Sequence, residues 1–305
     1  MIWLWIPLTV AAALLQNLRT AVQRHLVGRL STNGATMTRY VYGLPFAFAY
    51  VVLLYGLGHP LPFPKAEFWL WVTAGSITQT LATVLLLTVL KQQNFAVGIA
   101  YSKTEVVQAA IFGLVFLGEG ISVMGAFAVM LGTVGVMLFS LKKSQNPWKA
   151  FFTGWLKRSA LLGIVSGGFF GISAVAFRAA SLSLEHPSPL MSAGYALLWS
   201  AIIQSAILAV YLALREPGQL LAVWRARKVA VLAGITGITA SACWFTAFTL
   251  QQVAYVRTLG LVEMIFTFMI ARWGFKEHPS KVEVIGILLL IAAIVVLLNA
   301  PVMQG

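Results

Sequence analysis

The sequence predicts an all-α membrane protein, with ten transmembrane helices built as two inverted five-helix repeats. Three observations carry that expectation. First, charged residues make up 10% of the 305-residue chain and mean hydropathy is +0.88, whereas a soluble domain carries roughly 25% charge. Apolar runs of about 20 residues recur along the whole sequence, the length a helix needs to cross a bilayer. Second, the stretch from Phe95 to Leu141 occurs twice. A slide of 158 places sets Glu105 on Glu263, Glu119 on Glu277, Ser122 on Ser280 and Gln93 on Gln251 without a gap. Apolar matches mean little here, but the chain has only eight acids, all Glu, and four of them pair at this one offset. Third, five spans per repeat is an odd number, so the second copy enters the membrane with opposite polarity.

The spans fall at 2–26, 35–57, 68–90, 95–117 and 121–141, then 160–183, 191–214, 229–250, 255–275 and 282–300. Residues 1–141 form the first repeat, 142–159 a basic connecting loop and 160–305 the second repeat. The opening Met1-Ile2-Trp3-Leu4-Trp5 lacks a basic region and a small-residue cleavage site, so the first span is expected to persist in the mature protein. Connections are short except for the central one. Lys142 to Arg158 carries five basic residues, Pro147, Trp148 and Trp155, and is expected on the membrane surface with its indoles at headgroup depth. At an offset of 154 the duplication extends to Arg24 on Arg178 and Met37 on Met191. Gly163, Gly167 and Gly171 form a ridge on span six, and Gly132 with Gly135 one on span five. Such ridges let helices approach closely in lipid, here within one chain in preference to a dimer interface.

Cys243 is the one cysteine, so no intrachain disulfide forms. The net charge of +13 lies mostly in loops between spans, which points to membrane topology and away from nucleic acid. No His/Cys/carboxylate cluster has metal-ligand spacing, and neither a Gly-x-Ser-x-Gly elbow nor a Gly-x-x-x-x-Gly-Lys loop is present. The expectation is therefore no enzyme, no cofactor and no metal.

The hinge before span five reads Gly118-Glu119-Gly120-Ile121-Ser122, and its second copy Lys276-Glu277-His278-Pro279-Ser280. Ser122 and Ser280 fit helix N-caps, and Ser280-Lys281-Val282-Glu283 fits a capping box. Ten spans in two halves with a Gly-Glu-x-x-Ser hinge resemble the EamA-type branch of the drug/metabolite transporter superfamily. That resemblance implies a carrier of small molecules in the plasma (inner) membrane, its partners being substrate and lipid bilayer. Span one departs from the pattern, having Leu14-Leu15-Gln16-Asn17 where the family commonly carries Trp-Gly. Glu119 and Glu277 read as structural or gating residues.

Ionisable groups within spans are costly and face a cavity or each other. Glu105 and Glu263 sit near the centres of spans four and nine, and symmetry directs both to one midplane cavity. They are read as a proton- or substrate-responsive pair, or else as salt bridges, Glu105 with Arg24 or Lys103 and Glu263 with Arg257 or Arg178. Tyr101, Glu105 and Gln108 share a face of span four by their spacing. Arg24 and Arg178 approach opposite membrane faces, where a guanidinium fork can hold an anionic group. Arg19 and Arg39 are further basic residues within spans. Gln16 and Asn17 on span one, Gln79 on span three and Trp244 on span eight complete the candidate lining. The expected cavity draws on spans one, three, four, six, eight and nine. The expected function is secondary transport, as an exporter, of small polar metabolites such as amino acids or organic acids, with phosphorylated or nucleotide-linked anions as the alternative. Loops joining odd to even spans carry 14 Lys and Arg, against Lys65 and the terminal amine on the other side, so both termini are expected outside.

Overall fold

The computed structural model describes residues 3–27, 29–90, 101–140, 158–269 and 280–301. Among the described residues there are thirteen helical segments and no strand. Span one is α1 (Trp5–Leu26). Span two is α2 (Thr32–Val41) followed by α3 (Leu44–Gly56), and span three is α4 (Ala66–Leu90). Spans four and five contain α5 (Glu105–Leu117) and α6 (Val123–Ser140). Residues 142–157 of the central connection, with both its tryptophans, lie outside the described residues. The second half runs through α7 (Arg158–Leu182), α8 (Pro189–Arg215), α9 (Pro217–Arg225) and α10 (Arg227–Leu250). It continues with α11 (Val253–Gly260) and α12 (Val262–Met269) in span nine and ends with α13 (Lys281–Leu298). Among the described residues six stretches are long and apolar enough to cross a membrane: α2 with α3, then α4, α7, α8, α10 and α13.

Local chemistry sets the ends of these helices, and it repeats between the halves. Ser31 opens α2 by accepting from Gly34 N, and Ser188 opens α8 by accepting from Met191 N. Ser122 accepts from Gly125 N at the start of α6. Ser280 and Glu283 make the expected capping box at α13. A cap of this kind contributes about 1 kcal/mol, because it satisfies a backbone N–H that the helix leaves free. At the other end of α5, Gly118 takes φ 67°, where its N–H meets Leu114 O and the next N–H, of Glu119, reaches Gly113 O. That reversal needs a residue without Cβ, which explains the Gly-Glu hinge.

The helix pairs follow the duplication. The most extensive contacts join α4 to α7, α1 to α10 and α6 to α13. In span numbers these are three with six, one with eight and five with ten. A shift of five spans turns the first into the second and returns the third to itself. Span four packs on span six through α5 and α7, and span nine packs on span one through α11, α12 and α1, again as exchanged partners.

Both glycine ridges are spent inside the chain. A Cβ at Gly167 would stand 2.6 Å from Ser102 O, and one at Gly135 would stand 2.9 Å from Gly286 O. Apolar side chains gain little by leaving lipid for another apolar face, so this close backbone approach is what holds such helices together. The outer surface is apolar, with Phe48, Leu70, Val115 and Leu214 among the exposed side chains.

Two departures from the sequence reading matter below. The connection after α8 folds into α9, started by Pro217 at its first turn. It packs on the opening of α2, where Gln219 accepts from Ser31 N and Glu216 from Asn33. Spans two, four and nine are also interrupted, with turns at Tyr42–Gly43, Lys103–Thr104 and Leu261.

Candidate functional site

The interruptions in spans four and nine stand at equivalent places in the two repeats. Val106 N donates to Lys103 O and Met264 N to Leu261 O, two i→i−3 bonds that coincide at the 158-residue offset. Each tight turn starts a new helix, and the residue that enters the first turn of each is a glutamate, Glu105 of α5 and Glu263 of α12. A helix N-terminus favours negative charge there through its free N–H groups. Such broken helices occur inside membranes only where protein or a cavity satisfies the freed backbone.

Each carboxylate finds its cation in the opposite repeat. Glu263, itself buried, pairs with Lys103 from span four. Glu105 pairs with Arg257 from span nine at 3.4 Å. The pairs are therefore crossed, and the expected partners within one span are corrected. Lys103 lies in the turn that precedes α5 and its ammonium reaches across to Glu263, while Arg257 reaches across to Glu105. Around this core Gln16 Nε2 donates to Glu263 at 3.3 Å, and the Trp244 indole donates to Gln16 Oε1 at 3.1 Å. Asn17 donates to the Glu263 carbonyl. The Arg257 guanidinium lies 4.9 Å from the centre of a Trp244 ring and 5.1 Å from that of Phe248, within cation–π range.

These groups border a cavity of about 150 Å³. Spans one, three, four, six, eight and nine all contribute side chains, and span two adds Arg39. Eight of the candidate residues line it: Glu105, Glu263, Lys103, Arg257, Gln16, Asn17, Gln79 and Trp244. Gln79 is also held from behind, accepting from Gln204 Nε2 at 2.8 Å. Ser241, Phe170, Phe245 and Phe248 complete much of the wall. Among the described residues the lining carries four cations, Arg19, Arg39, Lys103 and Arg257, against two carboxylates.

Three candidates lie elsewhere. Tyr101 is fully buried away from the cavity. It cannot share a continuous face with Glu105 and Gln108, because the turn at Lys103–Thr104 separates them. Gln108 bridges Thr104 and the Ile164 carbonyl, tying α5 to α7. Arg178 donates to Glu119 at 2.7 Å and to the carbonyls of Phe248 and Gln251 at the end of α10. It therefore binds the hinge to a helix C-terminus, where a cation is favoured, rather than waiting for an anion. Arg24 belongs to α1, but its side chain lies outside the described residues, as does Glu277.

The sequence profile of the EamA-like transporter family matches residues 3–141 and 157–299, one match to each half. The chain belongs to this family. It is accordingly a membrane transporter, and the two-repeat architecture of the helices is that of the family. No curated protein matches the sequence. In fold, the chain is similar to a protein of known crystal structure, with a TM-score of 0.66 over 96% of this chain and 95% of the other, at 16% identity. That likeness concerns the fold alone. Among the described residues no group of three His, Cys, Asp or Glu is placed to hold a metal ion.

Proposed function

We propose that this EamA-like protein is a secondary transporter that exports small polar metabolites, amino acids or organic acids, by alternating access around the cavity between its repeats. The observation that carries the reading is the crossed pairing, Glu105 to Arg257 and Glu263 to Lys103. Both ion pairs bridge the halves of the molecule at equivalent breaks in spans four and nine. A substrate that competes for one partner loosens a link between the halves, which gives it different contacts in the two states. Such a difference is what ligand-driven exchange of states requires. The exchanged helix pairings support two mirror-related arrangements, with ten crossings in inverted halves.

A second reading, a carrier or exchanger of phosphorylated or nucleotide-linked anions, is favoured by the positive excess of the lining. For the location, we place the protein in the plasma (inner) membrane, and the Lys and Arg bias supports an orientation with both termini outside.

The test is flux of labelled amino acids and organic acids in proteoliposomes, measured against pH for the wild type, Glu105→Gln and Glu263→Gln. Burial and a neighbouring cation together decide whether a carboxylate exchanges its proton in the working range. A changed pH profile or a large loss of flux in either variant is the expected result. Unchanged flux and pH profile in both would make the carboxylates structural and remove the proposed role.

A further inference from the structure

Arg19 and Arg39 differ from the other cations of the cavity in having no ion pair of their own among the described residues. Lys103 and Arg257 each have a carboxylate, and both carboxylates of the lining are thereby engaged. Among the described residues neither Arg19 nor Arg39 has an acid within salt-bridge distance, although both are more than nine-tenths buried, at 6% and 5% exposure. Arg39 donates to the Ser241 hydroxyl at 3.0 Å and lies 5.1 Å from the centre of the Tyr40 ring. Neither partner cancels its charge. Arg19 Nε has no hydrogen-bond partner at all among the described residues.

The two stems converge on one point of α10, where Gly237 leaves room for them. A Cβ there would stand 2.9 Å from Arg39 Cγ and 3.3 Å from Arg19 Cδ. Two guanidinium groups with no ion pair of their own, drawn together in the interior of a membrane protein, are costly even with Glu263 acting on Arg19 across the cavity. The cost is offset when a ligand brings the missing charge. The neutral groups beside them, Asn17, Thr20, Gln79 and Ser241, supply hydrogen bonds without adding a competing acid.

We infer that Arg19 and Arg39 form an anion subsite, and that the transported molecule presents a doubly negative group or pair of groups to it, as a small dicarboxylate or a phosphate monoester does. This rests on the transport reading above and narrows its substrate class. One dianion would neutralise the excess left after the two crossed ion pairs. A monocarboxylate would leave one positive charge uncompensated, and a zwitterionic amino acid would leave both. The planar guanidinium forks suit either a carboxylate or a phosphoryl group.

The experiment is equilibrium binding to the full-length protein purified in detergent, by calorimetry and thermal stability at constant ionic strength. The probes are succinate, inorganic phosphate at mildly alkaline pH, acetate and putrescine. Succinate or phosphate is expected to bind about tenfold or more tightly than acetate, and putrescine not at all. Arg19→Gln and Arg39→Gln should each weaken the dianion by about tenfold or more, the scale of a lost charge-assisted hydrogen bond. Arg39→Lys, which keeps the charge, should retain part of the affinity and serves also if the Gln variant does not fold. A preference for succinate over phosphate would assign organic acids, and the reverse phosphate esters. Equal affinity for acetate and the dianions would overturn the inference. So would dianion binding untouched in both Gln variants, or stronger stabilisation by putrescine. Because binding in detergent needs no exchange of states, these failures leave the flux experiment standing, and a failed flux experiment leaves this one readable.

Discussion

Removing one partner of the Lys103–Glu263 pair isolates the link between the repeats. The Lys103 and Glu263 side chains are 14% and 5% exposed, so each is desolvated by the other's company. Glu263→Gln keeps the shape and the acceptor for Gln16 Nε2 but leaves Lys103 as an uncompensated buried cation. Breaking a buried pair in this way costs about 3–5 kcal/mol. The cavity admits water beside both groups, which places the expected cost at about 3 kcal/mol. Lys103→Met should cost a similar amount by stranding Glu263. The double variant Lys103→Met/Glu263→Gln strands neither, so its destabilisation should fall short of the sum by about 2 kcal/mol, within the range of coupling between residues in contact. Thermal unfolding of the four proteins in one detergent measures the cycle, with elution profiles to verify that each is monodisperse. Additivity within about 0.5 kcal/mol would mean that the two groups do not interact, and the crossed pairing would be refuted as a link between the halves.

Two further expectations concern the frame around the cavity. Arg178→Met strands Glu119 and the carbonyls at the end of α10, and should lower unfolding stability by about 3 kcal/mol; a loss below about 0.5 kcal/mol would show that the hinge is held by other contacts. Gly167→Ala drives a methyl against Ser102 O, 2.6 Å from the new Cβ, and should cost about 1–3 kcal/mol, whereas Gly113→Ala meets nothing within 4 Å and should be nearly neutral. Equal effects of the two substitutions in thermal unfolding would contradict the close packing of span four on α7.

Much of the frame was legible because its signals are local. A serine before an apolar run caps a helix wherever the run packs, so Ser122 and Ser280 announced α6 and α13. A glycine ridge announces close approach, and Gly167 and Gly135 find it. Eight cavity residues were identifiable because polar groups in apolar spans have few places to go. Three things were hidden, each for a physical reason. The turns at Lys103–Thr104 and Leu261 carry no proline; the polar run Ser102–Glu105 at the first reads as cavity lining as readily as a break, and the second lies within an apolar stretch. Arg39 lies in the last turn of α2, where a basic residue has the ordinary explanation of complementing a helix terminus. Arg178 matched Arg24 by symmetry, yet its role depends on where α10 ends, which no pattern around Arg178 records.

The crossed ion pairs were the least legible feature, and the reason lies in how the duplication has diverged. The acids are kept in register, Glu105 with Glu263, but the cations are not. At the 158-residue offset Lys103 meets Leu261, and Arg257 meets Ile99. Each repeat therefore supplies one acid and one cation, with the cation at a different place. The chemistry differs accordingly. Lys103 is a compact ammonium whose charge is met at Glu263, whereas Arg257 spreads its charge across a plane set over Trp244 and Phe248. When Glu105 is lost, Arg257 keeps aromatic faces worth about 1 kcal/mol or more. When Glu263 is lost, Lys103 has no aromatic face of that kind among the described residues. The two halves are thus alike in backbone and unlike in electrostatics, so two states related by the fold need not be equal in energy. On the alternating-access reading proposed above, the carrier is expected to have a preferred resting side, set by which of the two unlike ion pairs holds more firmly.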